Sequence, residues 1–256
     1  MAAVKIVVPW HNHDQKQKFL DAWGITQPQS YLQLQQDKDK SGCALTKNRG
    51  IEKAISSSAE YIIILDDDCY PTIQVPTLAT LISDHISELN KTHSIELFDV
   101  VTAPASRGTP YHHRSIEMRV EASMGFWTHV GDYDAIGQLT HGATHPMEFD
   151  RSPRFGKYFP LCGMNLAFRA SSWPWCQFID VPRFDDIWQG FLWQRKAYDD
   201  HKCFSLNGPT IKHSRQSNVW QNLRDEAVNM ERNETLWRDI ATAPAGYNYD
   251  SLKALI

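Results

Sequence analysis

The stretch that most constrains the fold is a run of apolar residues, Tyr61–Leu65, that leads directly into three consecutive aspartates, Asp66, Asp67 and Asp68. A short apolar run rich in β-branched residues is typical of a strand buried on both faces of a parallel sheet. Three adjacent like charges repel one another, so their place at the end of such a strand needs an explanation. In open α/β sheets, ligands bind beyond the carboxyl ends of the strands, and the three carboxylates are predicted to lie there.

Strand-like and helical patterns alternate along the chain, which predicts an α/β fold with a Rossmann-like, mainly parallel sheet flanked by helices. The predicted strands cover residues 4–9, 30–37, 61–65, 98–105 and 158–171, and the predicted helices cover residues 14–24, 44–58, 76–90 and 184–201, followed by one or two amphipathic helices through Trp237. Between them, residues 104–157 carry scattered glycine, proline, histidine and arginine, which predict loops and short strands that cover a site.

The chain is predicted to form a single domain over residues 1–256, a size that one large domain can accommodate. Within it we expect a nucleotide-binding half (1–103), a sugar and acceptor half (104–218) and C-terminal helices (219–256).

Composition excludes several classes of protein. The formal net charge is −4, so the chain has no global electrostatic attraction to nucleic acid. The five cysteines include no C-x-x-C pair, which argues against a disulfide framework or a thiolate zinc site. No apolar stretch reaches the length of a signal peptide core or a membrane span. These features predict a cytoplasmic protein that does not associate with membranes.

The three aspartates suggest a metal site. If the segment is extended, Asp66 and Asp68 point to one side and Asp67 to the other. Two carboxylates on one side can hold Mn²⁺ or Mg²⁺, which also binds diphosphate oxygens and neutralises the repulsion. Asp67 is expected to anchor the loop or to touch the nucleotide. The alternative is a solvated acidic turn or a helix cap.

A second pair of carboxylates, Asp185 and Asp186, lies at the predicted start of a helix. One of them could act as a general base on an acceptor hydroxyl or orient sugar hydroxyls, whereas capping of the helix is the alternative.

Further candidate binding residues lie within or at the ends of strand-like segments. His213 could supply another metal ligand, with Lys212 and Arg215 pairing with a diphosphate, although a single histidine is more often structural. Asn165 lies among small and apolar residues, which suits close approach of a sugar, and Pro9 ends the first strand at the predicted nucleotide site.

Arginines and histidines cluster in the segment RGTPYHHR, which contains Arg107 and Arg114. The cluster could bind phosphates, although such clusters are usually solvated.

Taken together, these segments resemble the reversibly glycosylated polypeptide family, which includes UDP-arabinopyranose mutases. The resemblance covers roughly residues 4–226 and rests on the segments DDDCYP, RGTPYHHR, GFWTHVGDYDA, FPLCGMNLAF, FDDIWQGF and HSRQSNVWQNL, in that order. The chain is shorter than plant members, and Met124 stands where the family pattern predicts histidine.

The resemblance implies a GT-A fold with a UDP-sugar donor and with Mn²⁺ or Mg²⁺ held by Asp66 and Asp68. It implies that Arg114 corresponds to the arginine on which family members glycosylate themselves, or that it holds the diphosphate. Broader similarity to GT-A enzymes implies nucleotide contacts from Asp37, Lys47 and Arg49. The same similarity implies that His213 is a third metal ligand.

Three functions stay open. The resemblance favours a mutase that interconverts the pyranose and furanose forms of a UDP-pentose. The second is a glycosyltransferase that acts on an external hydroxyl of a glycan, a small molecule or a hydroxymethylated DNA base. The third is a UDP-sugar-binding protein without turnover. A homo-oligomer is compatible with each of them.

Overall fold

The computed structural model describes residues 3–97, 107–108, 110, 115–142, 144, 148–214, 218–244 and 246–256. The strand predicted at residues 98–105 lies outside the described residues, and so do Arg114 and Arg215.

Eight strands and eight helices form the described part of the chain, with one short 3₁₀ turn at Ala170–Ser172. The strands are β1 (Val4–Trp10), β2 (Leu32–Gln36), β3 (Tyr61–Leu65), β4 (Cys69–Tyr70), β5 (Thr92–Glu96), β6 (Ser115–His129), β7 (Asn165–Arg169) and β8 (Lys202–His213). The helices are α1 (His13–Ala22), α2 (Cys43–Ser56), α3 (Leu78–Leu89), α4 (Ala135–His141), α5 (Asp185–Asp199), α6 (Val219–Ala227), α7 (Met230–Ala241) and α8 (Tyr249–Lys253).

All eight strands belong to one sheet, in the order β2-β1-β3-β7-β6-β8-β4, with β5 paired to β6. β1 pairs in parallel with β2 and β3, and β6 pairs in parallel with β8, whereas β7 is antiparallel to both β3 and β6. Five strands (β1, β2, β3, β6 and β8) therefore run in one direction. The predicted α/β fold with a mainly parallel sheet and flanking helices is confirmed.

The N-terminal part forms as its sequence pattern predicts. Every residue of β3 is buried, and α2 packs against β1 and β2. The approach is so close at Gly50 that an added Cβ would lie 2.3 Å from Val7 Cγ1. This contact brings the first turns of α2, including Lys47, to the carboxyl end of β3.

The prediction of loops and short strands at residues 104–157 is wrong for most of its described part. Residues 115–129 form β6, the longest strand, and residues 135–141 form α4. In the first half of β6, Met118 and Val120 are buried and Arg119 is exposed, which is the alternation of a strand with one solvated face. Further along, residues 120–127 are all buried, and both edges of the strand are paired, with β7 on one side and β8 on the other.

A second apolar cluster lies beside the main core and joins α5 to the C-terminal helices. Trp188 and Leu192 of α5 belong to it, together with Leu236 of α7 and Leu252 of α8. The sheet and this cluster share α5, an arrangement that accords with the predicted single domain, although the predicted domain boundaries stay predictions. Among the described residues, no helix combines the length and apolarity needed to cross a bilayer.

Candidate functional site

A cavity of about 660 Å³ opens where β1 and β3 end and where α5 begins. Its lining comes from distant parts of the chain, from Pro9 near the end of β1 to Glu226 in α6. The predicted residues that line it are Pro9, Asp37, Lys47, Asp66, Asp67, Asp68, Asp185 and Asp186. The structure therefore brings together most of the described candidates.

The three aspartates leave β3 in a turn and not in an extended segment. The Cys69 N–H donates to the Asp66 carbonyl at 3.1 Å, and β4 begins at once. The alternation argument, which paired Asp66 with Asp68 and turned Asp67 away, is therefore wrong. All three side chains line the cavity, since a tight turn reorients each successive residue.

Lys47 lies at the centre of the carboxylates. Its ammonium lies 2.9 Å from Asp66 Oδ1 and donates to the Gly163 carbonyl at 3.2 Å, and its side chain is only 4% exposed. Burial alone would lower the pKa of Lys47, but the Asp66, Asp185 and Asp186 carboxylates raise it well above its ordinary value. The side chain thus stays charged in the interior.

Asp185 and Asp186 form the first turn of α5, where the helix dipole favours negative charge. Asp186 Oδ2 accepts a hydrogen bond from the Gly163 N–H at 2.8 Å. Burial raises the pKa of both carboxyls, and each lies within the field of Lys47. Two protonatable groups with raised pKa values in one cavity are suited to proton transfer.

His213 and Asp68 face each other at the other end of the triplet, with 3.6 Å between Nε2 and Oδ2. The His213 Nδ1 is 3.0 Å from the Val130 carbonyl, which leaves Nε2 on the side of Asp68. Within the described ranges, no three histidine, cysteine or acidic side chains form a metal-binding group. The structure therefore does not bring Asp66, Asp68 and His213 together as the predicted metal-binding group, and Asp66 is paired with Lys47 instead.

The cavity is strongly acidic. Eleven carboxylic side chains line it, against three lysine and arginine side chains, Lys47, Arg154 and Arg183, and one histidine, His11. Lys47, Arg154 and Arg183 are already in ion pairs, with Asp66 (2.9 Å), Asp150 (2.7 Å) and Glu226 (3.0 Å) respectively. Burial, followed by the charges of Asp68 and Asp66, raises the pKa of Asp67 to about 7. The described lining accordingly favours a bound cation.

Five polar atoms of the lining are buried without a hydrogen-bond partner in the described part of the chain: Trp10 Nε1, Thr46 Oγ1, Asp66 Oδ1, Asp67 Oδ2 and Trp127 Nε1. Asp66 Oδ1 is the atom that faces the Lys47 ammonium at 2.9 Å. An unpaired buried polar group costs about 1–3 kcal/mol. Indole nitrogens only donate, and a carboxylate oxygen accepts or binds a cation. These atoms match a ligand that offers hydrogen-bond acceptors together with a cation.

Other predicted residues lie away from the cavity. Arg49 pairs with the exposed Asp39 at 3.3 Å, and Lys212 is an exposed residue of β8. Arg107 is exposed.

Asn165 is fully buried, so its predicted contact with a sugar is not supported. Its Oδ1 lies 2.9 Å from His85 Nε2, and its Nδ2 donates to the Pro209 carbonyl at 2.8 Å. Asn165 therefore joins β7 to its neighbours.

Sequence reasoning missed an aromatic wall of the cavity. Phe126 and Phe149 stack with ring centroids 4.0 Å apart, and Trp127 meets Phe149 edge-on at 5.6 Å. Trp127 was missed because it lies in β6, within the segment predicted to form loops and short strands. Trp10 could have been found from its place directly after Pro9 at a strand end.

The family described as reversibly glycosylated polypeptide matches residues 51–238. Probable UDP-arabinopyranose mutase 1 of Pisum sativum is 31% identical over 196 residues, which cover 66% of this chain and 51% of that protein. UDP-arabinopyranose mutase 2 of Arabidopsis thaliana is 32% identical over 195 residues, which cover 66% of this chain and 52% of that protein. The chain thus spans about half the length of the curated relatives that it matches.

Among solved structures, glucosyl-3-phosphoglycerate synthase from Mycobacterium tuberculosis, in complex with Mg²⁺ and UDP, aligns with a TM-score of 0.46 and 11% identity. The alignment covers 96% of this chain and 81% of the other. Similarity at this level supports no inference about the present site.

Proposed function

The chain belongs to the reversibly glycosylated polypeptide family, and on that premise we propose that it is an enzyme that acts on a UDP-sugar, most like a UDP-arabinopyranose mutase. The observation that carries the proposal is the acidic cavity at the carboxyl ends of β1 and β3, where Asp66–Asp68, Lys47 and the Asp185–Asp186 pair lie together. In α/β sheets this is the position of nucleotide sites.

Pro9, Trp10 and Asp37 form the part of the cavity nearest the first two strands, and we assign the nucleoside to them. The Asp37 carboxylate accepts hydrogen bonds from the Ser41 and Gly42 N–H groups at 2.8 and 3.1 Å. It thereby holds the turn that leads into α2. The unpaired Trp10 indole N–H supplies a donor to a ligand in this part of the cavity.

A divalent cation, Mn²⁺ or Mg²⁺, fits the chemistry of the triplet, because carboxylate and imidazole are ligands that these cations accept. Asp68 and His213 would hold it, with oxygens of the diphosphate completing the coordination. When bound, it would neutralise the diphosphate and stabilise UDP as a leaving group. Without the cation, the negatively charged diphosphate would enter a cavity lined by eleven carboxylic side chains, which would repel it.

The Asp185–Asp186 pair lines the same cavity as the triplet, and the charge of Lys47 acts on both groups. In the proposed reaction one carboxyl of the pair accepts or returns the proton of a sugar hydroxyl, while Asp186 stays oriented by the Gly163 N–H at 2.8 Å. Lys47 offsets the negative charge of Asp66 and of the Asp185–Asp186 pair. These roles require only proton transfer and positioning from the chain's own residues.

Incubation of the protein with UDP-arabinopyranose and Mn²⁺, followed by chromatography of the nucleotide sugars, tests the proposal. We expect the furanose isomer to form without any added acceptor. A second outcome is that UDP is released only when a glycan, a small alcohol or hydroxymethylated DNA is supplied. That result would assign the protein as a glycosyltransferase and not as a mutase. Tight UDP-sugar binding with neither product would leave a binding protein.

Asp68→Asn tests the cation. We expect Mn²⁺ to raise the UDP affinity of the unaltered protein at least about tenfold, and this gain to disappear in the variant because one carboxylate ligand is lost. Titration calorimetry with and without EDTA measures both. Asp39→Asn, at an exposed acid outside the cavity, is the matched control. An Asp68→Asn protein that retains the full effect of Mn²⁺ would exclude Asp68 as a ligand.

A further inference from the structure

A second cavity, of about 240 Å³, lies directly beside the acidic one. Arg154 and Phe159 line both cavities, so the segment 154–159 forms a partition between them. Neither the family resemblance nor the proposed function uses this second cavity.

The partition is anchored at both of its ends. Arg154 and Phe204 of β8 exchange two backbone hydrogen bonds, of 2.8 and 2.9 Å. Both backbone groups of Phe159 bond to the side-chain amide of the buried Gln194, each at 2.9 Å. Because the two ends are held, the segment keeps the second cavity at a defined distance from the first.

The charge of the second cavity is opposite to that of the first. Its charged lining residues are Arg154, Lys157, Arg195 and Lys202, and no carboxylic side chain of the described residues lines it. Three of these cations have carboxylate partners outside the lining: Asp150 for Arg154 (2.7 Å), Asp199 for Arg195 (3.6 Å), and Glu121 (2.8 Å) and Asp200 (3.7 Å) for Lys202.

Two groups in the second cavity are left for a ligand. Lys157 is exposed and has no ion pair with any described residue. The Nε of Arg195 is buried and lacks a hydrogen-bond acceptor among the described residues. A ligand in this cavity therefore meets an unpaired ammonium and an unsatisfied guanidinium N–H, a combination that suits an anion with several acceptor oxygens.

Aromatic rings form the remaining wall of the second cavity. Phe155 and Tyr198 stack with centroids 5.1 Å apart and an interplanar angle of 25°, and Tyr198 is 46% exposed. Gly156, at φ +69°, passes close to the Tyr198 ring, where an added Cβ would lie 3.4 Å away. A partly exposed aromatic ring beside cationic groups suits stacking of a base, which is worth about 1–3 kcal/mol.

We propose that the second cavity binds a nucleotide-type phosphate ester, with its phosphate at Lys157 and Arg195 and its ring on Tyr198. The ester could come from a free nucleotide or from a single strand of nucleic acid. Beyond the partition lies the acidic cavity, so the ester is bound beside the site that the proposed function assigns to the UDP-sugar. That neighbouring UDP-sugar site rests on the proposed function, whereas the binding of the ester does not.

Titration calorimetry with thymidine 5′-monophosphate as the probe, on protein saturated with UDP and Mn²⁺, tests the proposal. We expect the probe to bind beside UDP, thymidine without phosphate to bind at least about tenfold more weakly, and Lys157→Glu to weaken the probe by a similar factor. Lys18→Glu, an equal charge change at an exposed residue of α1, should leave the affinity for the probe unchanged.

Tyr198→Ala separates the ring from the charge and is expected to weaken the probe about fivefold or more. A six-nucleotide thymidine strand that binds more tightly than the monophosphate identifies nucleic acid as the source, whereas equal affinity identifies a free nucleotide.

Displacement of the probe by UDP, or an unchanged affinity in Lys157→Glu, would overturn the proposal. If UDP fails to bind at all, the proposed function fails. The same titration without UDP then still decides the second cavity.

Discussion

At the scale of single residues, Lys47 determines the electrostatics of the acidic cavity. It contacts Asp66 from β3 and the Gly163 carbonyl from the segment before β7, and it compensates the carboxylates at the start of α5. A buried ion pair adds little stability over an apolar pair, but removal of one partner leaves the other charge uncompensated.

Replacement of Lys47 by methionine, which keeps the length of the side chain, should lower the free energy of unfolding by about 2 kcal/mol. The loss is smaller than for a fully buried pair because the Asp66 side chain is 25% exposed. Urea unfolding at pH 7 measures the effect. The double variant with Asp66→Asn should recover part of the loss, since no unpaired carboxylate then stays at that position. Equal stability of Lys47→Met and the unaltered protein would contradict this account.

Trp127 carries an unpaired indole N–H into the aromatic wall. Trp127→Phe keeps an aromatic ring, although a smaller one, and removes the N–H donor, so UDP-arabinopyranose should bind about fivefold more weakly. Equilibrium binding of the nucleotide sugar provides the measurement. Trp220→Phe, at a tryptophan that is 61% exposed, is the control. Identical affinities in the two variants would mean that the ligand does not use this donor.

At the scale of elements, a buried polar network links α3 to the two central strands beside it. His85 of α3 lies 3.0 Å from Ser123 Oγ of β6 and 2.9 Å from Asn165 Oδ1 of β7. Burial lowers the pKa of His85 to about 4, so the folded protein holds this imidazole neutral at pH 7. The unfolded chain takes up a proton on it near pH 6.5.

Acidification should therefore destabilise the protein through His85. The unfolded state binds more protons between these two pKa values, and about 2 kcal/mol of stability is lost between pH 7 and pH 5. His85→Gln, which does not titrate, should lack this contribution. The difference in urea unfolding free energy between the two proteins isolates it, because other groups titrate in both. Parallel pH profiles would show that His85 is not buried neutral in solution.

Elements differ in how well the sequence reveals them. Tyr61–Leu65 has only apolar residues, and a strand of this kind can be recognised without knowledge of its partners. β6 contains Glu117, Arg119 and Glu121 between its apolar residues, and only pairing with three other strands makes it a single long strand. Asn165 looked like a ligand group because an amide in an apolar run is unusual, but its partner His85 is 80 residues away.

At the scale of the whole molecule, α5 belongs to both apolar cores. Trp193 of α5 packs in the main cluster, and Trp188 packs in the second one, where its Nε1 donates to Asn233 of α7 at 3.0 Å. A helix shared in this way should couple the unfolding of the C-terminal helices to that of the sheet.

Leu236→Ala tests this coupling. Leu236 is fully buried in the second cluster, and its truncation should cost about 3 kcal/mol. If the chain is one cooperative domain, tryptophan fluorescence and far-ultraviolet circular dichroism will report the same single transition at lower urea. Glu234→Ala, at an exposed position of α7, should change little. A separate early transition in Leu236→Ala would divide the chain into two units.

The site as a whole was predictable only in part. The carboxyl ends of apolar strands indicated where Asp66–Asp68 would lie, and an acidic helix start indicated Asp185 and Asp186. The pairing of Lys47 with Asp66 depends on contacts between distant segments, and so does the second cavity. No local sequence pattern indicates such contacts.

The insertion of β7 between β3 and β6 also determines when a binding-competent molecule first exists during refolding. β1, β2, β3 and α2 come from neighbouring segments, but Lys47 and Gly163, which complete the cavity, are 116 residues apart. Closure of so long a loop is entropically costly and slow. Nucleotide binding should therefore be acquired late, and a nascent chain that stops short of Gly163 would carry the three aspartates without the site that they serve.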